Sequence, residues 1–277
     1  MPTLALPAWS RALIYGLLAV AAVPMALPLV WMLSSALKPL PEVMVVPPTW
    51  IPRQPTFDNF VVVFTQLPFG RYLLNSVVVA AIVVVGVVVT SSMAGYAFAK
   101  FPFRGRELLF MAMLASLMVP FQVRMIPLYL MAIKLRLVNT LAGVSFPWLF
   151  DAFGIFLMRQ FMRTIPTDLI EAARIDGASE PRIFFTIVLP LTRPALAALA
   201  IFTLVANWEE FLWPLIVTNS DASRTLPVGL QSFSDQYIAN IHWQMAGATV
   251  AVAPLLVAFF VFQRQFIQGI ALTGLKE

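Results

Sequence analysis

The sequence predicts an all-α polytopic membrane protein, with six transmembrane helices in a single domain covering residues 1–277. Three observations predict it. Charged residues make up 11% of the chain and hydrophobic residues 60%, with a mean hydropathy of +0.87. A soluble domain carries about 25% charged residues, so much of this surface is predicted to face lipid. Runs 12–37, 72–99 and 236–263 contain no Asp, Glu, Lys or Arg, and each exceeds the about 20 apolar residues that carry a helix across a bilayer. Three further apolar runs are nearly as clean: 108–123, 137–158 broken only by Asp151, and 194–220 broken only by Glu209 and Glu210.

The predicted spans are about 12–34, 72–97, 107–130, 139–160, 195–218 and 244–264. The first is longer than the roughly 7–15-residue core of a signal peptide, so it is predicted to stay attached. Segment 38–70 carries seven prolines (Pro39, Pro41, Pro47, Pro48, Pro52, Pro55, Pro68). Proline fixes φ and blocks a continuing helix, so this segment is predicted to be extended and rigid, either a connector or a docking surface. Val77 to Val89 is mostly valine, which in water suggests a strand. In lipid a helix satisfies its backbone within one segment, so a helix is predicted. Asn75 is expected in an interhelical hydrogen bond, and Gly86 and Gly95 at close packing contacts.

The later spans carry polar groups at membrane depth, where they face protein or water. Pro120, Gln122 and Arg124 suggest a broken third span. Arg124 either anchors at the interface by snorkelling or attracts an anion. Asp151 in the fourth span either pairs with Arg124 or another cation, lies at the interface, or hydrogen-bonds sugar hydroxyls. Asn207, Trp208, Glu209, Glu210 and Trp213 lie in the fifth. Aromatic faces beside polar acceptors suit a pyranose, and helix packing is the other reading. Pro214 is expected to interrupt that helix. His242, near the outer end of the sixth span, is expected in a solvated loop.

With the N-terminus inside, the cytoplasmic side holds 11 Lys and Arg residues and the other side 7, which favours cytoplasmic termini. That count includes Arg264 and Lys276. The net charge of +5 and pI near 9.9 are spread over loops, without the basic stripe that nucleic acid requires. There are no cysteines and one histidine. Disulfides, thiolate metal sites and cysteine nucleophiles are thereby excluded, and no acid–base or metal constellation for an enzyme stands out.

Segment 165–190 carries the strongest signal. Asp168 and Glu171 fit an N-cap with a partial capping box. Gly177 fits a left-handed helix stop. Ser179 is placed to cap a second short helix with Pro181 in its first turn, and Pro190 to limit it. The expected pattern is helix, glycine break, helix. The spacing Glu171-Ala172-Ala173, Gly177, Ile187, Leu189-Pro190 resembles the "EAA" loop of binding-protein-dependent ABC importer permeases. Phe69-Gly70, Asn75-Ser76, Ile126-Pro127-Leu128-Tyr129, Val138-Asn139-Thr140, Phe153-Gly154-Ile155-Phe156 and Asn207-Trp208 with Phe211-Leu212-Trp213-Pro214 resemble its maltose-type carbohydrate-uptake subfamily.

The resemblance implies that this loop is a coupling helix seated in a cleft of a cytoplasmic ATPase, as helix-in-groove recognition. Glu171 would pair with basic partner residues, Ala172 and Ala173 would allow close approach, and Asp176, Gly177, Ile187, Leu189 and Pro190 would complete the element. No G-x-x-x-x-G-K-[ST] loop occurs. The chain is therefore expected to bind no cofactor itself, leaving ATP and Mg to partner ATPase subunits. The implied partners are a second permease, two ATP-binding subunits and an extracytoplasmic solute-binding protein. The implied setting is a bacterial or archaeal inner membrane. The expected cargo is a di- or oligosaccharide, with a glycerol phosphate or glycerophosphodiester as the alternative.

Overall fold

The computed structural model describes residues 7–66, 68–236 and 240–274. Lys276 of the orientation count lies outside the described residues, as does the side chain of Arg264. Among the described residues every regular element is helical.

In chain order the helices are α1 Ala8–Ala36, α2 Leu40–Val43, α3 Asp58–Gln66, α4 Phe69–Lys100, α5 Arg106–Ala115, α6 Phe121–Lys134, α7 Leu141–Ser145 and α8 Ala152–Arg163. They continue with α9 Thr167–Ile175, α10 Glu180–Ile183, α11 Leu189–Leu191, α12 Arg193–Trp208, α13 Leu212–Val217, α14 Leu226–Gln236 and α15 Ile241–Gly274. Three stretches are long and apolar enough to span a membrane as single helices: Trp9–Ala36, Phe69–Lys100 and Ile241–Gln263. Three helix pairs qualify only together. They bend by 101° between Met118 and Phe121, by 48° between Trp148 and Ala152, and by 78° between Leu191 and Arg193.

Two of the bends have a clear local cause. Val119 is extended and Pro120 is the N-cap of α6, where its missing N–H removes no helical bond. Asp151 is extended and caps α8. Pro190 does not stop the loop helix, contrary to the sequence expectation. The turn before it widens to a π-helix over Phe184–Val188, in which the Leu189 N–H donates to the Phe184 carbonyl, and α11 carries the chain on to Leu191. A π turn inserts one residue and accommodates a proline that cannot close the usual bond. The predicted helix 195–218 is also corrected. α12 ends at Trp208 and α13 begins at Leu212, because Glu210 turns back to accept the Trp213 N–H at 3.1 Å.

The chain divides into two compact units, Met1–Phe69 with Leu230–Ala253 and Gly70–Gly229 with Pro254–Glu277. In the first, the proline-rich segment is not the extended strap expected. It folds through α2 and α3 around Lys38. The Lys38 ammonium donates to the Thr49 carbonyl and lies 4.6 Å from the Trp31 ring. Glu42 accepts from the Arg53 N–H at 2.7 Å, which holds its carboxyl below the usual carboxylate range. Asn59 donates to the Ala36 and Lys38 carbonyls, each at 2.8 Å. Prolines cannot donate, so side chains close the turns that backbone N–H groups would otherwise close. His242 is buried in the first turn of α15, not in a solvated loop.

The second unit is built on α4. Its valine run is helical, as lipid requires, and Val79, Val83 and Val87 enter the core. Gly86 and Gly95 leave room for Leu149 and Met158, whose side chains stand 2.6 Å from where a Cβ would be. Thr90 donates to the Leu149 carbonyl at 2.9 Å. At one end of α4, Arg159 from α8 is buried against the Phe110 ring at 3.8 Å, donating to Glu107 at 2.5 Å and to the Phe98 carbonyl at 3.2 Å. At the other end Asn75 donates to the Ala222 and Arg224 carbonyls at 3.1 and 2.8 Å, so its partner is the α13–α14 loop.

Candidate functional site

Two sites emerge in the second unit: an exposed loop helix and a partly open cavity. The loop helix is α9. Its N-cap is Pro166, and Asp168 sits in the first turn, correcting its assignment as cap. There it still interacts favourably with the positive end of the helix dipole. The other end closes as a Schellman motif. Asp176 is the C-cap, the Gly177 N–H donates to the Arg174 carbonyl at 3.0 Å, and the Ala178 N–H to the Ala173 carbonyl at 2.9 Å. Gly177 has φ +81°. The second helix begins at Ser179, whose side chain makes no cap bond, again unlike the expectation.

The motif residues divide between two faces. Glu171, Ala172 and Asp176 are exposed, next to Leu169 and the 87%-exposed Ile175. Ile170 is buried, and Ala173, Ala178, Ile187 and Leu189 pack on the core with it; Pro190 is half-buried. Ala173 thus serves the protein's own packing, while Ala172 faces outward. An apolar patch rimmed by carboxylates on the outward face of a short helix is suited to insertion into a groove with a basic rim.

The cavity has a volume of about 530 Å³ and gathers Arg124, Asp151, and Asn207 with Glu210 from three separate places in the sequence. Apolar walls come from Val83, Val87, Trp148, Phe150 and Phe202, and hydroxyls from Ser116 and Thr203. Asp151 accepts from the Phe153 and Gly154 N–H groups at 3.1 and 2.9 Å. Its carboxylate therefore neutralises the α8 N-terminus and forms no ion pair with Arg124. Glu210 is held in the same way by α13. Arg124 packs by Phe121 at 5.9 Å.

The remaining sequence candidates lie elsewhere. Gln122 is exposed and outside the cavity wall. Glu209 is exposed and ends α12, its N–H donating to Val205. Trp208 lines a separate apolar recess of about 400 Å³ with Ala80, Ala200 and Pro254. Trp213 is fully buried and donates its indole N–H to the Gly143 carbonyl at 2.9 Å, so packing is its role. Trp148, stacked on Phe121 at 4.8 Å, is a cavity residue the sequence reading missed. Within an apolar run nothing marks one tryptophan as cavity-facing, although the preceding Pro147 hints at a break. Among the described residues no three His, Asp or Glu side chains gather as a metal ion would need.

The family model described as "Binding-protein-dependent transport system inner membrane component" matches residues 86–272, which include the loop helix and most of the cavity wall. The chain belongs to that family. It is an inner membrane component of a transport system, and it is similar to permease proteins along nearly its whole length. The arabinooligosaccharides transport system permease protein AraQ of Halalkalibacterium halodurans is 39% identical, with 90% of each chain covered. The lactose transport system permease protein LacG of Rhizobium radiobacter is 34% identical over 92% of this chain and 93% of that one. The sn-glycerol-3-phosphate transport system permease protein UgpE of Yersinia pestis is 37% identical over 73% of each. In fold, the chain resembles a bacterial ABC transporter involved in the import of the acidic polysaccharide alginate, with a TM-score of 0.80 at 22% identity, covering 92% and 96% of the two chains.

Proposed function

We propose that this chain is one of two permeases of an ATP-driven importer for a neutral oligosaccharide. The observation that carries the substrate class is the cavity. Its volume of about 530 Å³ falls within the roughly 300–1,000 Å³ of small-molecule sites. Its aromatic walls suit sugar C–H faces, and its charges are of both signs. Both carboxylates are tied to helix N-termini and Arg124 stands near an aromatic ring, so no single charge dominates. The saccharide relatives favour the same reading.

The three bent pairs each serve as one span in this reading, giving six spans with both termini cytoplasmic. α9 is the coupling helix. Glu171, Ala172, Leu169, Ile175 and Asp176 face the cleft of an ATP-binding subunit. Gly177 sets the turn, and Ile187, Leu189 and Pro190 carry the element into α12. Two such subunits hold ATP and Mg, and a solute-binding protein delivers the sugar outside. Transport follows alternating access, driven by the differential contacts that α9 makes in the two nucleotide states.

The test is ATP hydrolysis by the reconstituted complex with its binding protein, across arabino-oligosaccharides, lactose and glycerol 3-phosphate. Stimulation by a neutral saccharide is expected. Stimulation by the phosphate ester alone overturns the substrate class and makes Arg124 the first residue to replace.

A further inference from the structure

Glu180 opens α10, and both of its carboxylate oxygens are engaged by other helices. Oε1 accepts from the Arg174 guanidinium of α9 at 2.5 Å. Oε2 accepts from the Tyr96 hydroxyl of α4 at 3.0 Å. Tyr96 is buried, with its ring 5.3 Å from Phe101 and 5.4 Å from Phe184, so its hydroxyl is fixed in place. Arg174 in turn holds the Glu180 carboxyl below its usual range. The ion-paired side chains are 40% and 37% exposed, and an exposed pair adds little to stability. A carboxylate spanning two helices does impose register, because its two acceptors are set by one planar group. Another polar tie from this end of α4 to the loop is Lys100 donating to the Ile165 carbonyl at 2.5 Å, ahead of α9 and not on it.

We propose that Glu180 is a positioning residue that locks α9 to α4 through Arg174 and Tyr96, so that the two helices move as one body when nucleotide binds the complex. This rests on the reading of α9 as the coupling helix. Apolar packing of Ile170 and Ile183 holds α9 near the core but permits sliding. The carboxylate clamp does not.

The chain has no cysteines, so paired spin labels can be placed in it without background from its own residues, with the partner subunits in cysteine-free form. Thr167→Cys at the start of α9 and Met93→Cys on α4, both exposed, report the distance in the complete complex in lipid nanodiscs. With Glu180 present, the distance is expected to be the same with and without Mg-ATP. In Glu180→Gln the two states are expected to differ by roughly 2 Å or more, and Tyr96→Phe, which keeps the ring contacts, is expected to fall between. The exchange of Arg174→Glu with Glu180→Arg restores the pair and is expected to restore the single distance. A nucleotide-dependent distance in the unmodified latch overturns the proposal, as does a Glu180→Gln complex that behaves like its parent. A separate disulfide trap from Ile175→Cys to the ATP-binding subunit tests the docking reading. If that trap fails, the coupling assignment falls; if it forms while Glu180→Gln stays silent, only the latch falls.

Discussion

At Gly143 a Cβ would stand 2.0 Å from the Leu137 carbonyl oxygen. That oxygen cannot retreat, because the Thr140 hydroxyl donates to it at 2.7 Å and the Thr140 side chain also caps α7. The Gly143 carbonyl meanwhile accepts the Trp213 indole N–H, joining α7 to α13. Overpacking a tight core contact costs about 1–3 kcal/mol, and here the obstacle is backbone. Gly143→Ala is therefore expected to destabilise by about 3 kcal/mol, read as a lower Tm of the purified complex. An unchanged Tm would show that this turn is looser than its contacts imply. The residue scale also explains why Asp151 and Glu210 each allowed two readings in the sequence. A carboxylate in an apolar run has two good fates, a ligand or a helix N-terminus, and the backbone amides next to it in sequence are always available.

At the scale of the element, α9 is a short helix whose C-terminus depends on one backbone conformation. Nothing lies within 4 Å of a Cβ built on Gly177, yet its φ is +81°. The demand is therefore conformational and not spatial. A left-handed residue other than glycine costs roughly 1–2 kcal/mol, and asparagine less. Gly177→Ala is expected to lower transport by roughly tenfold, Gly177→Asn by much less, and both to insert normally. Uptake by membrane vesicles, with insertion checked by immunoblot, separates these cases. Equal loss in both variants would mean that the side chain itself obstructs a partner, since only a contact ignores the difference in left-handed strain.

For the whole molecule, the cavity and the lipid-facing surface make different demands on a probe. A cysteine at Asn207 faces the cavity, while one at Val89, 48% exposed on α4, faces hydrocarbon in the proposed topology. Thiolate is the reactive form and is suppressed in apolar surroundings. Asn207→Cys is expected to react with a charged aqueous thiol reagent roughly tenfold faster than Val89→Cys, and to be protected by a transported saccharide. Similar rates at both positions would remove the cavity from the transport path.

The sequence by itself determined the class of molecule and the place of its loop helix. Long uncharged runs can only be helices in lipid, and the Glu171–Gly177 spacing encodes a helix and its left-handed stop within a few residues. Those signals are local, so they were legible. Span breaks were legible in part: Pro120 marked one, but the fifth span breaks between Trp208 and Leu212, ahead of Pro214, which lies inside α13, and Pro190 was overruled by a π turn that no residue type announces. The tertiary structure alone decided which polar groups share a cavity. Arg124, Asp151, Asn207 and Glu210 meet there, whereas Trp208, Glu209 and Trp213, their neighbours in sequence, do not. On a helix, adjacent residues point about 100° apart, so nearness along the chain says little about which face a side chain joins. The folding of the proline-rich segment was also hidden, because its turns are closed by Lys38, Glu42 and Asn59 reaching across 11 to 23 residues. Contacts of that span follow from the fold and not from local propensity.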